Sequence, residues 1–209
     1  PMGKYDFFST SESVAHYPVT AVHLQWDFVT PFHLDGLENL TIDGGGGTFM
    51  MHGRMTPFVL NACRNIKISG LSIEHEHPSV FELRVVDKGI NEIDYEAIGN
   101  DRFLVENNQL LWLDANDTRQ IPNVFQFYDP VKDITRRCPD PMKDAVSITI
   151  ISPNHVRVGY KAGSGTLEDA EPGWVYQFRY GIRDQSGVVV YQSQAIAFED
   201  LNVYSWNGL

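Results

Sequence analysis

One six-residue pattern constrains this chain more than any other feature. Asn, apolar, polar, apolar, polar, Gly occurs at Asn39-Leu40-Thr41-Ile42-Asp43-Gly44 and again at Asn65-Ile66-Lys67-Ile68-Ser69-Gly70, an offset of 26 residues. Alternation at period two marks a strand with one buried face. The closing glycine lets the chain turn where a Cβ would clash. The second copy runs on as Leu71-Ser72-Ile73. A third copy, Ala195-Ile196-Ala197-Phe198-Glu199-Asp200-Leu201-Asn202-Val203, matches Asn65 to Ile73 in phase, 130 residues later. Short strands recurring at a fixed period are the mark of a solenoid. Corners with no helical period between them point to a parallel β-helix. The alternative is three similar strands of a sandwich. The shared register, beyond shared composition, favours the solenoid. Ile42, Ile68 and Phe198 then occupy one interior column.

The rest of the chain is arranged around these coils. Residues 1–20 predict a short helix, with Ser9-Thr10-Ser11-Glu12 as N-cap candidates and Pro18 closing it. Residues 21–38 have strand character, with Trp26, Phe28, Phe32 and Leu34 on one parity. From 79 to 171 the repeat disappears. Alternating runs take its place: Phe81–Asp87, Glu92–Ala97, Phe103–Glu106, Gln109–Asp114, Val124–Tyr128, Val146–Ile151 and His155–Tyr160. Seven short strands without helices predict a small antiparallel barrel or sandwich. Its expected core is Phe81, Leu83, Val85, Leu111, Leu113, Phe125, Phe127, Ile148 and Ile150. Residues 129–144, with three prolines and many charges, read as a loop. The coil pattern resumes near Trp174. The expected organisation is 1–78 for the first coils, 79–171 for an inserted β unit, and 172–209 for resumed coils.

A formal charge of −11 repels phosphate backbones, which argues against a nucleic-acid partner. No run of 18 apolar residues is present, so no helix is expected to span a membrane. The two cysteines, Cys63 and Cys138, make no disulfide framework. Nothing near Trp206-Asn207-Gly208-Leu209 reads as a solenoid cap, so the chain is expected to be part of a longer protein.

Few residues carry chemistry. Gly44-Gly45-Gly46-Gly47 leads into Thr48-Phe49-Met50-Met51, without the Lys-Ser/Thr of a nucleotide loop, and reads as a tight corner. In Glu74-His75-Glu76-His77, strand parity puts the carboxylates outward and His75 inward with Leu71 and Ile73. Carboxylates two residues apart on a strand lie roughly 6.5–7 Å apart, the low edge of the inverting-glycosidase spacing. A solvated strand face also presents such pairs. His75 and His77 lack an obvious third metal ligand. Arg54, in His52-Gly53-Arg54, fits a bridge between coils or a planar contact to a ligand. Arg179, Arg183 and Asp184 lie where the pattern restarts, and Trp206 near a corner suits stacking on a sugar ring. Glu74, Glu76, Arg179, Arg183 and Trp206 are the candidate substrate-binding residues. No catalytic residue and no metal ligand is assigned.

The series Gly36-Leu37-Glu38-Asn39-Leu40-Thr41-Ile42-Asp43-Gly44, Phe49, His52-Gly53-Arg54-Met55, Pro57-Phe58 and Ile73-Glu74-His75-Glu76-His77-Pro78 resembles the first coils of glycoside hydrolase family 110, the α-1,3-galactosidases. Gly3-Lys4-Tyr5-Asp6-Phe7-Phe8 also fits. Pro172 to Arg183 resembles the family's return from an inserted barrel. The resemblance implies a right-handed, pectin-lyase-like parallel β-helix carrying a small antiparallel β-barrel. It implies removal of terminal α-linked galactose from glycans with inversion, no metal or other cofactor, and an exported, periplasmic or extracellular address. The family's Asp-Asp motif has no match here, and the corner residues Asp43 and Asp200 do not inherit its role. The chain is therefore expected to be an inactive part of the enzyme that contributes groove wall. The remainder of its own chain and a galactose-terminated glycan are the expected partners. A polysaccharide lyase or galacturonan hydrolase of the same fold, or a non-catalytic glycan-binding solenoid, are the alternatives.

Overall fold

The computed structural model describes residues 3–9, 14–19, 24–78, 80–99, 102–114, 117–179 and 186–204, the side chains of 14–19 and 24–28 excepted. It divides into two compact units, Pro1–His77 with Ile182–Leu209, and Pro78–Gly181. Strand is the dominant element among the described residues, with a single short helix.

The first unit holds the repeat as two parallel sheets. In one, Phe58–Asn61 lies between Phe32–Asp35 and Val188–Tyr191. In the other, the order is Lys4–Phe8, Glu38–His52, Arg64–His75, Gln194–Val203. Strands of the two sheets alternate along the chain, and all three copies of the pattern lie in the second sheet, in Glu38–His52, Arg64–His75 and Gln194–Val203. Ile42 is opposite Ile68, and Ile68 is opposite Phe198, as the shared phase requires, but Phe198, on the outermost strand of the sheet, is 39% exposed and not interior. Ile68 is fully buried, with Ile66, Leu71, Ile73, Met51, Phe58 and Leu60 around it. The alternate residues face out, and there Lys67 meets Glu199 at 2.6 Å.

The repeat's asparagine is a backbone requirement. Asn39 and Asn65 have φ of 57° and 54°, in the left-handed region that asparagine tolerates better than most residues. Their amides also stack, Asn65 Nδ2 donating to Asn39 Oδ1 at 2.7 Å. Ala195 takes the same position at φ 54°, without a side chain suited to it. At the glycine corner, Gly44–Gly46 stand where the next strand has Gly70 alone, between the paired positions Asp43/Ser69 and Gly47/Leu71. The Asp43 carboxylate accepts from the Gly45 N–H at 2.9 Å and closes the turn. A Cβ on Gly44 would lie 2.4 Å from the Leu71 Cβ, so the close approach itself demands glycine. Cys63 and Cys138 are both free.

The N-terminal segment departs from expectation. Lys4–Phe8 is a parallel strand paired with Thr48–His52, and Val14–Val19 is a strand antiparallel to Leu24–Val29. Local capping signals lose to tertiary pairing here. Phe7 turns inward against Phe32 and Phe49, with ring centroids at 5.2 and 5.1 Å. Residues 10–13, which include three of the proposed N-cap residues, lie outside the described residues.

The second unit is built on a seven-stranded antiparallel sheet ordered Ile134–Arg137, Val124–Asp129, Val175–Arg179, Phe81–Lys88, Glu92–Ile98, His155–Tyr160, Ala145–Ser152. A three-stranded sheet of Phe103–Glu106, Gln109–Leu113 and Arg119–Gln120 accompanies it. Four expectations change. Val175–Arg179, expected among the resumed coils, pairs antiparallel with Val124–Tyr128 and with Phe81–Arg84. Residues 129–144 contain the strand Ile134–Arg137. A short helix, Gly165–Asp169, is present. Finally, Trp112 replaces Leu111 and Leu113 in the core, and Ile150 is half exposed. Gln109-Leu110-Leu111-Trp112-Leu113 is apolar at four successive positions, so its pattern assigns no inner face. Among the described residues, no helix is long and apolar enough to cross a membrane.

Candidate functional site

The clearest polar constellation lies on the outer face of the four-stranded parallel sheet. Parallel pairing places Phe8 beside His52, and the Glu76 N–H donates to the Met51 carbonyl at 3.1 Å, extending the same ladder. Strand parity puts Asp6, Phe8, Met50, His52, Glu74 and Glu76 on one face. Met51 and His75 face the core from the same strands.

His52 bridges two carboxylates. Its Nε2 is 2.7 Å from Asp6 Oδ1, and its Nδ1 is 2.7 Å from Glu76 Oε2. With both ring nitrogens engaged by carboxylate acceptors, the doubly protonated imidazolium satisfies both contacts as a donor. The hydrogen bond to Asp6 is the main cause that raises the His52 pKa above its ordinary value, and Glu76 adds to it. The same contacts hold the Asp6 and Glu76 carboxyls below theirs. His77 Nε2 stands 3.7 Å from Glu76 Oε2, and Lys4 Nζ stands 3.7 Å from Asp6 Oδ1. The Phe8 ring stacks on His52 with centroids 4.4 Å apart and planes 11° apart.

The expected parity of Glu74-His75-Glu76-His77 holds. Glu76 is exposed, Glu74 is half-buried on the outer side opposite Met50, and His75 turns inward opposite Met51. Burial pulls the His75 pKa down to about 4. Glu76, held below the ordinary carboxylate range by its hydrogen bond to His52, is a poor proton donor near neutral pH.

Arg179 is half-buried at the end of Val175–Arg179 in the second unit, opposite Val124, where its carbonyl accepts from the Asn123 N–H at 3.2 Å. Arg183, Asp184 and Trp206 lie outside the described residues. Asp6, Phe8 and the bridging role of His52 were not singled out by pattern. Asp6 and His52 are 46 residues apart and meet only through the strand register. Among the described residues no three His, Cys, Asp or Glu side chains form a metal-holding group.

No family model matches the chain. It is 30% identical over 175 residues to alpha-1,3-galactosidase A of Bacteroides thetaiotaomicron, a match covering 82% of this chain and 29% of that protein. It is 26% identical over 211 residues to alpha-1,3-galactosidase B of the same organism, covering 100% of this chain and 34% of that protein. A third relative, alpha-1,3-galactosidase A of Streptomyces avermitilis, is 22% identical over 185 residues. The chain spans about a third of the length of the curated relatives it matches. On these alignments, one of which covers the whole chain, the chain belongs to glycoside hydrolase family 110, the family of the α-1,3-galactosidases.

Proposed function

We propose that the protein carrying this chain removes terminal α-1,3-linked galactose from glycans with inversion at the anomeric carbon. In this reading the chain supplies the first coils of a right-handed parallel β-helix and part of its substrate groove. The observation that carries this reading is the 30% identity to a named α-1,3-galactosidase across 82% of the chain. The outer strand face agrees with it, presenting carboxylates and an aromatic ring where a neutral sugar offers hydroxyls and an apolar C–H face.

Inversion needs a carboxylic acid that protonates the leaving oxygen and a carboxylate that activates water, about 6.5–9.5 Å apart. Glu76 is held as an anion by His52, which opposes an acid role. We therefore assign Glu76, with Glu74, to substrate contact and no catalytic role to any residue of this chain. Arg179, Arg183 and Trp206 remain proposed substrate contacts. From the substrate class we also infer a periplasmic or extracellular address.

The test is galactose release by the intact protein from α-1,3-, α-1,4- and α-1,6-galactobiose, read with galactose dehydrogenase. Selective release from the α-1,3 isomer is expected. Equal release from all three, or none, would overturn the assignment.

A further inference from the structure

We propose that the outer face of the four-stranded parallel sheet is a subsite for a neutral oligosaccharide, with Phe8 and Tyr204 as stacking platforms and Asp6, Glu74 and Glu76 as hydroxyl acceptors between them. The inference rests on the galactosidase reading for the identity of the sugar, but its geometry is independent of that reading.

Two register columns cross the sheet. Asp6 is opposite Met50 and Met50 is opposite Glu74. Tyr204 stands next, its N–H donating to the Ile73 carbonyl at 2.9 Å. In the other column, Phe8 is opposite His52 and Glu76 continues the ladder. Phe8 and Tyr204 are 65% and 68% exposed, on the first and fourth strands. Three gaps at the usual strand spacing, about 14 Å, and the two-residue offset between the columns, about 6.6 Å, separate them by roughly 16 Å, the length of a short oligosaccharide. Large aromatic rings left this open beside charged groups gain little from folding and are suited to stacking on the C–H face of a sugar.

The acceptors between the rings are fixed in advance. Glu76 gives one oxygen, Oε2, to His52, and Asp6 gives Oδ1 to the same ring. Each keeps its second oxygen, so the groups that meet the sugar are already ordered and little rotamer entropy remains to be lost on binding. His52 is a positioning residue: it aligns both carboxylates and supports the Phe8 ring from beneath. On this face Asp6, Glu74 and Glu76 outnumber the cationic groups Lys4 and His52, and on a chain of formal charge −11 the balance disfavours uronates by like-charge repulsion. The ligand class is therefore neutral.

The experiment is calorimetric titration of the intact protein with the sulfur-linked, non-hydrolysable analogue of α-1,3-galactobiose, and with digalacturonate. Phe8→Ala and Glu76→Gln are each expected to weaken galactobiose binding at least tenfold, while Phe8→Trp keeps it. His52→Gln should weaken it and shift its pH profile, a change that a merely structural residue would not produce. Digalacturonate should not bind. Unchanged affinity in Phe8→Ala and Glu76→Gln with circular dichroism like wild type, or binding of digalacturonate through this face, overturns the subsite. Galactose release with binding indifferent to these residues removes the subsite and leaves the galactosidase reading. Absence of release with Phe8-dependent binding does the reverse.

Discussion

Ile68→Ala tests the stacked column directly. Ile68 is fully buried and flanked in register by Ile42 and Phe198. The substitution removes three buried carbons, at about 0.8 kcal/mol each, and a cavity that collapses incompletely adds roughly 1 kcal/mol. The sum is about 3–4 kcal/mol, inside the usual range for isoleucine-to-alanine changes in cores. Two compact units make a single unfolding midpoint ambiguous, so amide hydrogen exchange across Arg64–His75 is the better assay. At about 1.4 kcal/mol per factor of ten, protection there should fall by between a hundredfold and a thousandfold. Exchange in Phe81–Lys88 should change little. The control is Ser69→Ala, one residue on and facing outward, expected within about 0.5 kcal/mol of wild type. Equal losses for both substitutions would show that Ile68 and Ser69 do not face opposite ways, and the repeat would have been misread.

Three further perturbations follow from particular geometries. Gly44→Ala should cost roughly 1–3 kcal/mol, because the new Cβ meets the Leu71 Cβ at 2.4 Å and the Gly70 carbonyl oxygen at 2.8 Å; thermal melting checks it. Ala195→Asn should stabilise by about 0.5–1 kcal/mol, since it gives the left-handed position the residue used at Asn39 and Asn65; a lower melting temperature would contradict this. For pH, His75 falls to about 4 when buried. The unfolded chain then binds more protons between about pH 4 and 6.5, so stability declines as pH falls through that window, by up to roughly 3 kcal/mol. His75→Gln should flatten that slope. His52 acts in the opposite sense. Its raised pKa gives stability that is present below its ordinary value of 6.5 and lost as pH rises through the raised one. Asp6 and Glu76, lowered, contribute above their ordinary values and lose the contribution as pH falls through the lowered ones. Histidine NMR should place the His52 midpoint above 6.5, and Asp6→Asn should bring it down.

The parallel strands were legible because a repeated sequence pattern writes its contacts at a constant offset. Asn39/Asn65 and Ile42/Ile68 are each 26 residues apart and adjacent in space, so one sequence pattern gives strand, face and register together. The same logic failed where the chain carries no repeat. Lys4–Phe8 matches no copy of the pattern and is a strand only because Thr48–His52 offers it an edge. Val175–Arg179 alternates like a coil strand, and alternation alone does not tell parallel from antiparallel partners. At the candidate site, parity sufficed for Glu74, His75 and Glu76. The Asp6–His52–Glu76 bridge was hidden because three distant segments form it, and each residue by itself is an ordinary polar side chain on a strand or just past its end.

The most direct measurement is the anomeric ¹H NMR spectrum of galactose as the intact protein first releases it from α-1,3-galactobiose. The account predicts β-galactose ahead of mutarotation, as an inverting enzyme acting on an α-linkage must give. The α-anomer appearing first, or no galactose from the α-1,3 isomer, would contradict it.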